Sequence, residues 1–205
     1  MKLAHRIMVL FIYLLVAQGI YLGAQKMVLQ HVGISNINLM LPYEDRIPFL
    51  PFMVIIYLSV YLLPVGIILS IYRKGRIFKI MIVFTLALFI HTLFFIIMPV
   101  EYSLRPVVNI PSEILHQLML FVYSVDAPIN TFPSLHVSVA FISYYIIRRY
   151  RPQWSRGVLM LAIAIALSTV LVKQHYILDV VSGFLIAHLL NAFILQKDLK
   201  KILHV

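Results

Sequence analysis

Long apolar stretches constrain the fold of this chain more than any other feature of its sequence. Six of them lie at about 7–25, 51–72, 77–99, 134–148, 157–174 and 176–196. A helix that crosses a membrane needs about 20 predominantly apolar residues, and most of these stretches approach that length. The composition agrees, because 62% of the residues are hydrophobic, 12% are charged and the mean hydropathy is +0.99. The sequence predicts an all-α integral membrane protein, a six-transmembrane-helix bundle in a single domain, 1–205.

Two of the six stretches need comment. The fourth is the weakest, because Arg148, Arg149 and Arg151 limit it to about 15 apolar residues, where about 17 is the usual minimum. The first resembles a secretory signal, since Lys2 and Arg6 precede an apolar run. We expect it to be an uncleaved first helix, because its apolar run approaches the length of a membrane span.

Lysine and arginine are distributed unequally between the two ends of the predicted bundle. Thirteen of them fall on one side: Lys2, Arg6, Arg73, Lys74, Arg76, Lys79, Arg148, Arg149, Arg151, Arg156, Lys197, Lys200 and Lys201. Four fall on the other: Lys26, Arg46, Arg105 and Lys173. Basic residues favour the cytoplasmic side, so both termini are predicted to be cytoplasmic. Anionic membrane lipids account for the net charge of +10, and no nucleic-acid partner is needed.

A histidine and an aspartate stand four residues apart in His175-Tyr176-Ile177-Leu178-Asp179, where the last apolar stretch begins. At the start of a helix this spacing puts both side chains on one face, where the carboxylate can accept a hydrogen bond from one ring nitrogen. The other nitrogen is then free to attack phosphorus and form a covalent phosphohistidine. The alternative is a polar pair whose members only satisfy each other at the membrane surface. Both histidine motifs of the chain fall on the predicted extracytoplasmic side.

The other motif, Pro133-Ser134-Leu135-His136, stands at the start of the fourth stretch. Ser134 or Thr131 can cap a helix there, and the free N–H groups of a helix start favour a bound phosphate. His136 would then lie beside the anion and exchange protons with the leaving and entering oxygens. A capped helix that merely carries an interfacial histidine explains the same tetrapeptide.

Arg105-Pro106 follows the third stretch. A guanidinium group presents a planar fork of donors to phosphate oxygens, so Arg105 suits a phosphate clamp. The alternative is a pair with Glu101, four residues earlier, if this segment is helical.

In the order Arg-Pro, Pro-Ser-x-His and His-x-x-x-Asp, these motifs resemble the type 2 phosphatidic-acid phosphatase superfamily of membrane lipid phosphatases. The resemblance covers the chain from about the third stretch onward and implies a six-helix membrane bundle. It implies that His175 is the nucleophile, Asp179 its orienting group and His136 the acid and base. It also implies that Arg105 and Ser134 bind the phosphate.

Two departures from that family pattern concern cations, and in a third Leu135 stands where the second motif usually has glycine. The first motif usually has a lysine where this chain has Met98, and the third usually has an arginine where it has Thr169. Lys173, two residues before His175, is positioned to compensate as a phosphate ligand. In this respect the chain is similar to the branch containing inositol phosphorylceramide synthases, which move a phosphorylated head group between lipids.

The sequence predicts a metal-independent enzyme without a cofactor that hydrolyses a lipid phosphate or diphosphate at the extracytoplasmic face. The first alternative is a phosphotransferase acting on a lipid phosphodiester. Two non-catalytic alternatives are an inactive family member that only binds its ligand and a lipid transporter. Membrane lipids are the expected surroundings, and the sequence does not predict the oligomeric state or the particular lipid.

Overall fold

The computed structural model describes residues 3–32, 37–71 and 73–195, and no strand occurs among them. Eight α-helices lie in these ranges: α1 (Leu3–Met27), α2 (Val54–Leu58), α3 (Leu62–Ser70), α4 (Lys74–Ile97), α5 (Glu113–Val125), α6 (Leu135–Tyr150), α7 (Ser155–Leu171) and α8 (Ile177–Leu190). The predicted all-α class is confirmed.

Four helical stretches in the described part of the chain are long and apolar enough to cross a membrane. They are Ala4–Gln30, Pro51–Ser70, Lys74–Ile97 and Pro152–Leu171. They coincide with the first, second, third and fifth predicted stretches and suggest an integral membrane protein. The fourth and sixth correspond to α6, which has 16 residues, and to the shorter apolar helix Ile177–Phe193. The count of six spans therefore stays a prediction, and residues 72 and 196, at the predicted edges, lie outside the described residues.

The second of these stretches is one helical rod with a tighter turn inside it. α2 and α3 are joined by the 3₁₀ segment Ser59–Tyr61. Pro64 has no N–H to donate to the carbonyl group one turn earlier, so the regular α-helical hydrogen bonding is interrupted there. Tyr57 lies in α2 before this turn and Tyr61 is the last residue of the turn, and both hydroxyl groups lie near the ring of His136.

One helix does not correspond to any of the predicted apolar stretches. α5 has only 13 residues and lies in what the sequence presented as an outer loop. Its buried residues Met119 and Val122 pack in one cluster with Val54, Tyr57 and Val172. α5 is therefore part of the packed structure around the end of the bundle that carries the histidine motifs.

α6 is the central helix and contacts α3, α4, α7 and α8. The largest apolar cluster includes residues of α3, α4, α6 and α8, among them Ile67, Ile80, Ile142 and Leu190. Hydrogen bonds also connect α4, α6 and α8. The Ser138 hydroxyl donates to the Gly183 carbonyl at 2.6 Å and lies 3.0 Å from His91 Nε2.

Several of the basic residues that were predicted to share one side meet at one end of the bundle. Arg6 at the start of α1 donates to the carbonyls of Ile68 and Leu69 at the end of α3. Arg151 after α6 donates to the carbonyl of Ser70. Lys2, Lys197, Lys200 and Lys201 lie outside the described residues. The loops that carry both histidine motifs and Arg105 are at the opposite end.

Candidate active site

His175 lies in the turn between α7 and α8, two residues before α8 begins. Its backbone N–H and that of Gln174 both donate to the carbonyl of Thr169, at 3.2 and 2.9 Å. The predicted contact with Asp179 is present, with Nδ1 3.3 Å from Oδ2. Its predicted basis, a shared helix face, was wrong: Asp179 reaches back from the first turn of α8 and also accepts from the backbone N–H of Tyr176 at 2.8 Å.

The second ring nitrogen of His175 has no hydrogen-bond partner within the described part of the chain. Only 4% of His175 is exposed, and its Nε2 atom is buried without a hydrogen bond to any described residue. Because Asp179 is a hydrogen-bond acceptor, it favours the tautomer with the proton on Nδ1. Nε2 then carries a lone pair, as a nucleophilic nitrogen requires.

His136 lies in the first turn of α6, and its ring centroid is 6.0 Å from that of His175. The ring of Tyr57 packs on it with centroids 4.4 Å apart. The Tyr57 hydroxyl is 3.4 Å from Nδ1, and the Tyr61 hydroxyl is 3.5 Å from Nε2. The structure thus brings together the two histidines that the sequence separates by 39 positions.

Ser134 is fully buried and caps α6, as one of the two predicted candidates. Its hydroxyl accepts from the N–H of Val137 at 3.4 Å, and its own N–H donates to the carbonyl of Asp179 at 3.0 Å. The other candidate, Thr131, donates instead to the carbonyl of Val100. Ser134 therefore ties the start of α6, and with it His136, to the helix that carries Asp179.

Arg105 lies in an irregular segment, so the helical pairing with Glu101 was wrong, and Glu101 is exposed. One terminal nitrogen of Arg105 donates to the backbone carbonyl of Asp126 at 2.7 Å and to the side-chain carbonyl of Gln174. The guanidinium carbon is 4.5 Å from the ring centroid of Tyr123. Burial lowers the pKa of Arg105 and the charge of Asp126 opposes this shift, yet an arginine remains charged in such surroundings.

Lys173 adopts a left-handed backbone conformation with φ 58°, which few residues other than glycine and asparagine take up. Its amine donates to the carbonyl of Ile47 at 2.6 Å. Burial lowers the pKa of Lys173, while Glu44 and Asp45 raise it. The amine thus faces the first outer loop, and its role as a phosphate ligand stays a prediction.

Neither of the two positions where the family pattern has a cation carries a charged side chain in this protein. Thr169 is fully buried, and its hydroxyl donates to the carbonyl of Ala166. Its carbonyl holds the backbone of His175, as described above. Met98 follows the last residue of α4.

Three polar residues around this site were not among the predicted site residues. Gln174 holds Arg105 with its carbonyl, while its amide nitrogen is buried without a partner among the described residues. Asp126 accepts from two tyrosine hydroxyls, those of Tyr21 and Tyr57. Glu44 is buried and accepts from the N–H groups of Leu41 and Ile177. Gln174 had a signal in its position next to His175, and Glu44 and Asp126 had a weaker one as acidic residues of the predicted outer loops.

An apolar cavity of about 380 Å³ extends from this site between α1, α3, α4 and α6. Its polar end is formed by Tyr21, Tyr61, Asp126 and His136. The rest of its lining is mostly apolar: Phe11, Leu14, Leu15, Ala17, Val60, Pro64, Phe84, Leu88, Val125, Leu135 and Val139. The volume is within the range of small-molecule sites, about 300–1,000 Å³.

The arrangement as a whole suits an anion that is held by neutral donors and one cation. The Nε of Arg105 and the Nε2 of Gln174 are buried donors with no partner in the described ranges. The two side chains are also hydrogen-bonded to each other. Unpaired buried polar groups are costly and commonly indicate a missing ligand or water. Phosphate oxygens are acceptors of the kind that such donors require.

The fold and site therefore define an all-helical protein with membrane-length apolar helices and a two-histidine site at one end. The PAP2 superfamily model matches residues 111–202, a little under half of the chain. The match supports the type 2 phosphatidic-acid phosphatase superfamily and includes both histidine motifs and α5 to α8, but not Arg105. A comparison with curated proteins and one with solved structures gave no match.

Members of that superfamily are generally phosphatases or phosphotransferases, and the match accordingly supports an enzyme that acts on phosphate esters. A lipid phosphate as the substrate is consistent with the family. The narrower similarity to the inositol phosphorylceramide synthase branch stays a prediction.

Proposed function

We propose that this chain is a membrane-embedded lipid phosphatase that cleaves a phosphate ester or diphosphate of a lipid through a phosphohistidine on His175. The observation that carries the proposal is the hydrogen bonding of the His175 ring. Asp179 accepts at Nδ1, while Nε2 is buried and unpartnered among the described residues. His136 supplies the acid and base, and the hydrogen-bonded pair of Arg105 and Gln174 supplies donors for the phosphate oxygens.

In the first step, the lone pair of His175 Nε2 forms a bond to phosphorus as the bond between phosphorus and the ester oxygen breaks. Protonated His136 gives the proton on its Nε2 to the departing oxygen, so the lipid leaves as a neutral alcohol. Asp179 stabilises the positive charge that develops on the ring of His175.

In the second step, His136 Nε2 takes a proton from water, and the water oxygen bonds to phosphorus as the bond between nitrogen and phosphorus breaks. Phosphate leaves, and both histidines regain their starting protonation states. Arg105 binds the phosphoryl oxygens throughout, with Ser134 and Lys173 as further phosphate ligands.

The apolar cavity supports a lipid as the substrate. His136, which gives a proton to the departing ester oxygen, is one of its lining residues. A lipid whose tail occupies the cavity would present its ester oxygen to this histidine, and burial of the apolar tail would favour binding.

The placement of charge supports a site on the extracytoplasmic face and termini in the cytoplasm. Arg6 and Arg151 meet at the end of the bundle opposite the histidines. Basic residues favour the cytoplasmic side, so the opposite end faces outward in a six-helix arrangement. The groups that serve catalysis are all side chains of the protein, and the proposed reaction needs no metal ion.

Head-group transfer is the second candidate, and the apolar lining of the cavity favours it. Both leaving and entering oxygens must meet His136, and the cavity that reaches this histidine is lined mostly by apolar side chains. An acceptor lipid would use its alcohol in place of water in the second step, and the phosphorylated head group would pass to that lipid.

The test compares the purified wild-type protein with its His175→Ala variant in detergent with EDTA. Both are given a phosphatidic acid, a prenyl diphosphate and a head-group phosphodiester lipid, with and without an acceptor lipid, and free phosphate and new lipids are measured together. The control is His5→Ala, which removes an exposed histidine near the other end of the molecule.

Free phosphate that is lost in His175→Ala and retained in His5→Ala would support the phosphatase. A new lipid without free phosphate would support the transferase instead. Unchanged activity in His175→Ala would reject the nucleophile, and activity that is lost in EDTA and restored by magnesium would reject metal independence.

A further inference from the structure

The partly buried carboxylate of Asp126 is linked to the ring of His136 through the hydroxyl of Tyr57. The hydroxyl of Tyr57 donates to Asp126 Oδ2 at 3.0 Å and lies 3.4 Å from His136 Nδ1. A hydroxyl has one proton, so a Tyr57 that donates to Asp126 can only accept from the imidazole. Nδ1 of His136 must then carry a proton for the chain of contacts to be completed.

The two nitrogens of His136 face different surroundings. Tyr57, on the Nδ1 side, is not among the residues that line the apolar cavity, whereas Tyr61, on the Nε2 side, is one of them. His136 itself lines the cavity. Nε2 is therefore the atom that can meet an oxygen of a molecule in the cavity.

Asp126 is held firmly for such a role. Its other carboxylate oxygen accepts from the hydroxyl of Tyr21, and its backbone carbonyl accepts from Arg105. α1, α2 and the Arg105 segment thus converge on the residue that follows α5. Each oxygen of the carboxylate thus accepts from a tyrosine hydroxyl, which fixes its orientation.

We propose that Asp126, acting through the hydroxyl of Tyr57, is a positioning residue that holds His136 with its proton on Nδ1 and leaves Nε2 to exchange protons with the substrate. The role is analogous to that of Asp179, which contacts Nδ1 of His175 directly. The inference rests on the proposed function for its catalytic meaning, but the hydrogen-bonding state of His136 can be measured separately.

Two tyrosines provide a matched pair of variants. Tyr57→Phe and Tyr21→Phe each remove one hydroxyl that donates to Asp126, and only Tyr57 also contacts His136. Both replacements retain the aromatic ring. Asp126→Asn is a third variant, but it disturbs Tyr21 and Tyr57 together.

The first measurement does not depend on activity. In protein labelled with ¹⁵N-histidine, at a pH where the imidazole is neutral, the ¹⁵N shifts distinguish a proton on Nδ1 from one on Nε2. The His136 signals are identified by their absence in His136→Gln. We expect the proton on Nδ1 in the wild-type protein and in Tyr21→Phe, and a mixture of both forms in Tyr57→Phe. A proton on Nε2 in the wild type, or no difference between the two variants, would overturn the proposal.

The second measurement compares leaving groups. p-Nitrophenyl phosphate releases an anion that needs no proton, whereas dodecyl phosphate releases an alkoxide that does. Tyr57→Phe should lower kcat/KM on dodecyl phosphate by roughly 10–100-fold and have a much smaller effect on p-nitrophenyl phosphate, because kcat/KM reports the first step alone and proton transfer contributes about 10²–10⁴-fold. Tyr21→Phe should change both rates in the same proportion. Equal losses on both substrates in Tyr57→Phe would overturn the catalytic part of the proposal.

If the wild-type protein released no phosphate from any substrate, the proposed function would fail. The ¹⁵N measurement would still decide whether Asp126 and Tyr57 position His136. Failure of the proposed function is therefore distinguishable from failure of this inference.

Discussion

Asp179 serves two neighbours with one carboxylate oxygen. Oδ2 accepts from the backbone N–H of Tyr176 at 2.8 Å and lies 3.3 Å from His175 Nδ1. The first contact caps α8, and the second orients the proposed nucleophile. Asp179 thus both caps α8 and orients the ring of His175, which precedes the helix.

Asp179→Asn is expected to separate these two functions. The amide oxygen can still accept from the N–H of Tyr176, so the fold should survive. The same oxygen can also accept from His175 Nδ1, but the uncharged amide cannot stabilise an imidazolium. We expect kcat to fall by roughly 10²–10⁴-fold, with little change in thermal stability. A phosphate-release assay beside a thermal unfolding curve measures both, and an activity close to wild type would show that His175 does not need the carboxylate.

At the scale of elements, the start of α6 lies against α8 at Gly183. A Cβ atom at that position would overlap the backbone carbonyl oxygen of Ser134, and Gly183 also accepts from the Ser138 hydroxyl. The absence of a side chain on α8 therefore allows the start of α6 to lie against it. His136 and Asp179 are brought to one site by this contact.

Gly183→Ala is expected to push α6 and α8 apart at the site. Overpacking of this kind costs about 1–3 kcal/mol, and activity should fall because His136 moves with Ser134. Gly157→Ala in α7 is the matched control, because a Cβ there meets no atom within 4 Å. It should be neutral or stabilise its helix by about 0.5–1 kcal/mol. Unfolding in detergent compares the two variants, and equal stability would contradict the close contact.

At the scale of the whole molecule, the proposed topology has the basic end inside and the site outside. The chain contains no cysteine, so a single introduced cysteine can be labelled without background. Val107 is 92% exposed in the segment that carries Arg105. Gln153 is exposed between α6 and α7, at the basic end.

In intact cells, a membrane-impermeant maleimide should label Val107→Cys and should leave Gln153→Cys unlabelled until the membrane is opened. The reverse pattern would put the site in the cytoplasm. Labelling of both positions in intact cells would contradict a membrane-spanning arrangement that separates them.

Local patterns in the sequence were sufficient for the all-α class, the apolar stretches and the contact between His175 and Asp179. Each of these depends on residues close together in the chain, where spacing limits what can meet. α5 was missed because its 13 residues are too few for a membrane span and its apolar face is recognised only once other helices cover it.

The tertiary structure alone decided the wider site. Tyr57 and Asp126 are 69 positions apart, as are Arg105 and Gln174, and Glu44 meets Ile177 across 133 positions. No periodicity links residues so far apart. Their pairing depends on helix packing, which brings buried donors to buried acceptors because unpaired polar groups are costly away from water. The sequence by itself determined which groups were available for chemistry, and the packing of the helices decided which of them meet.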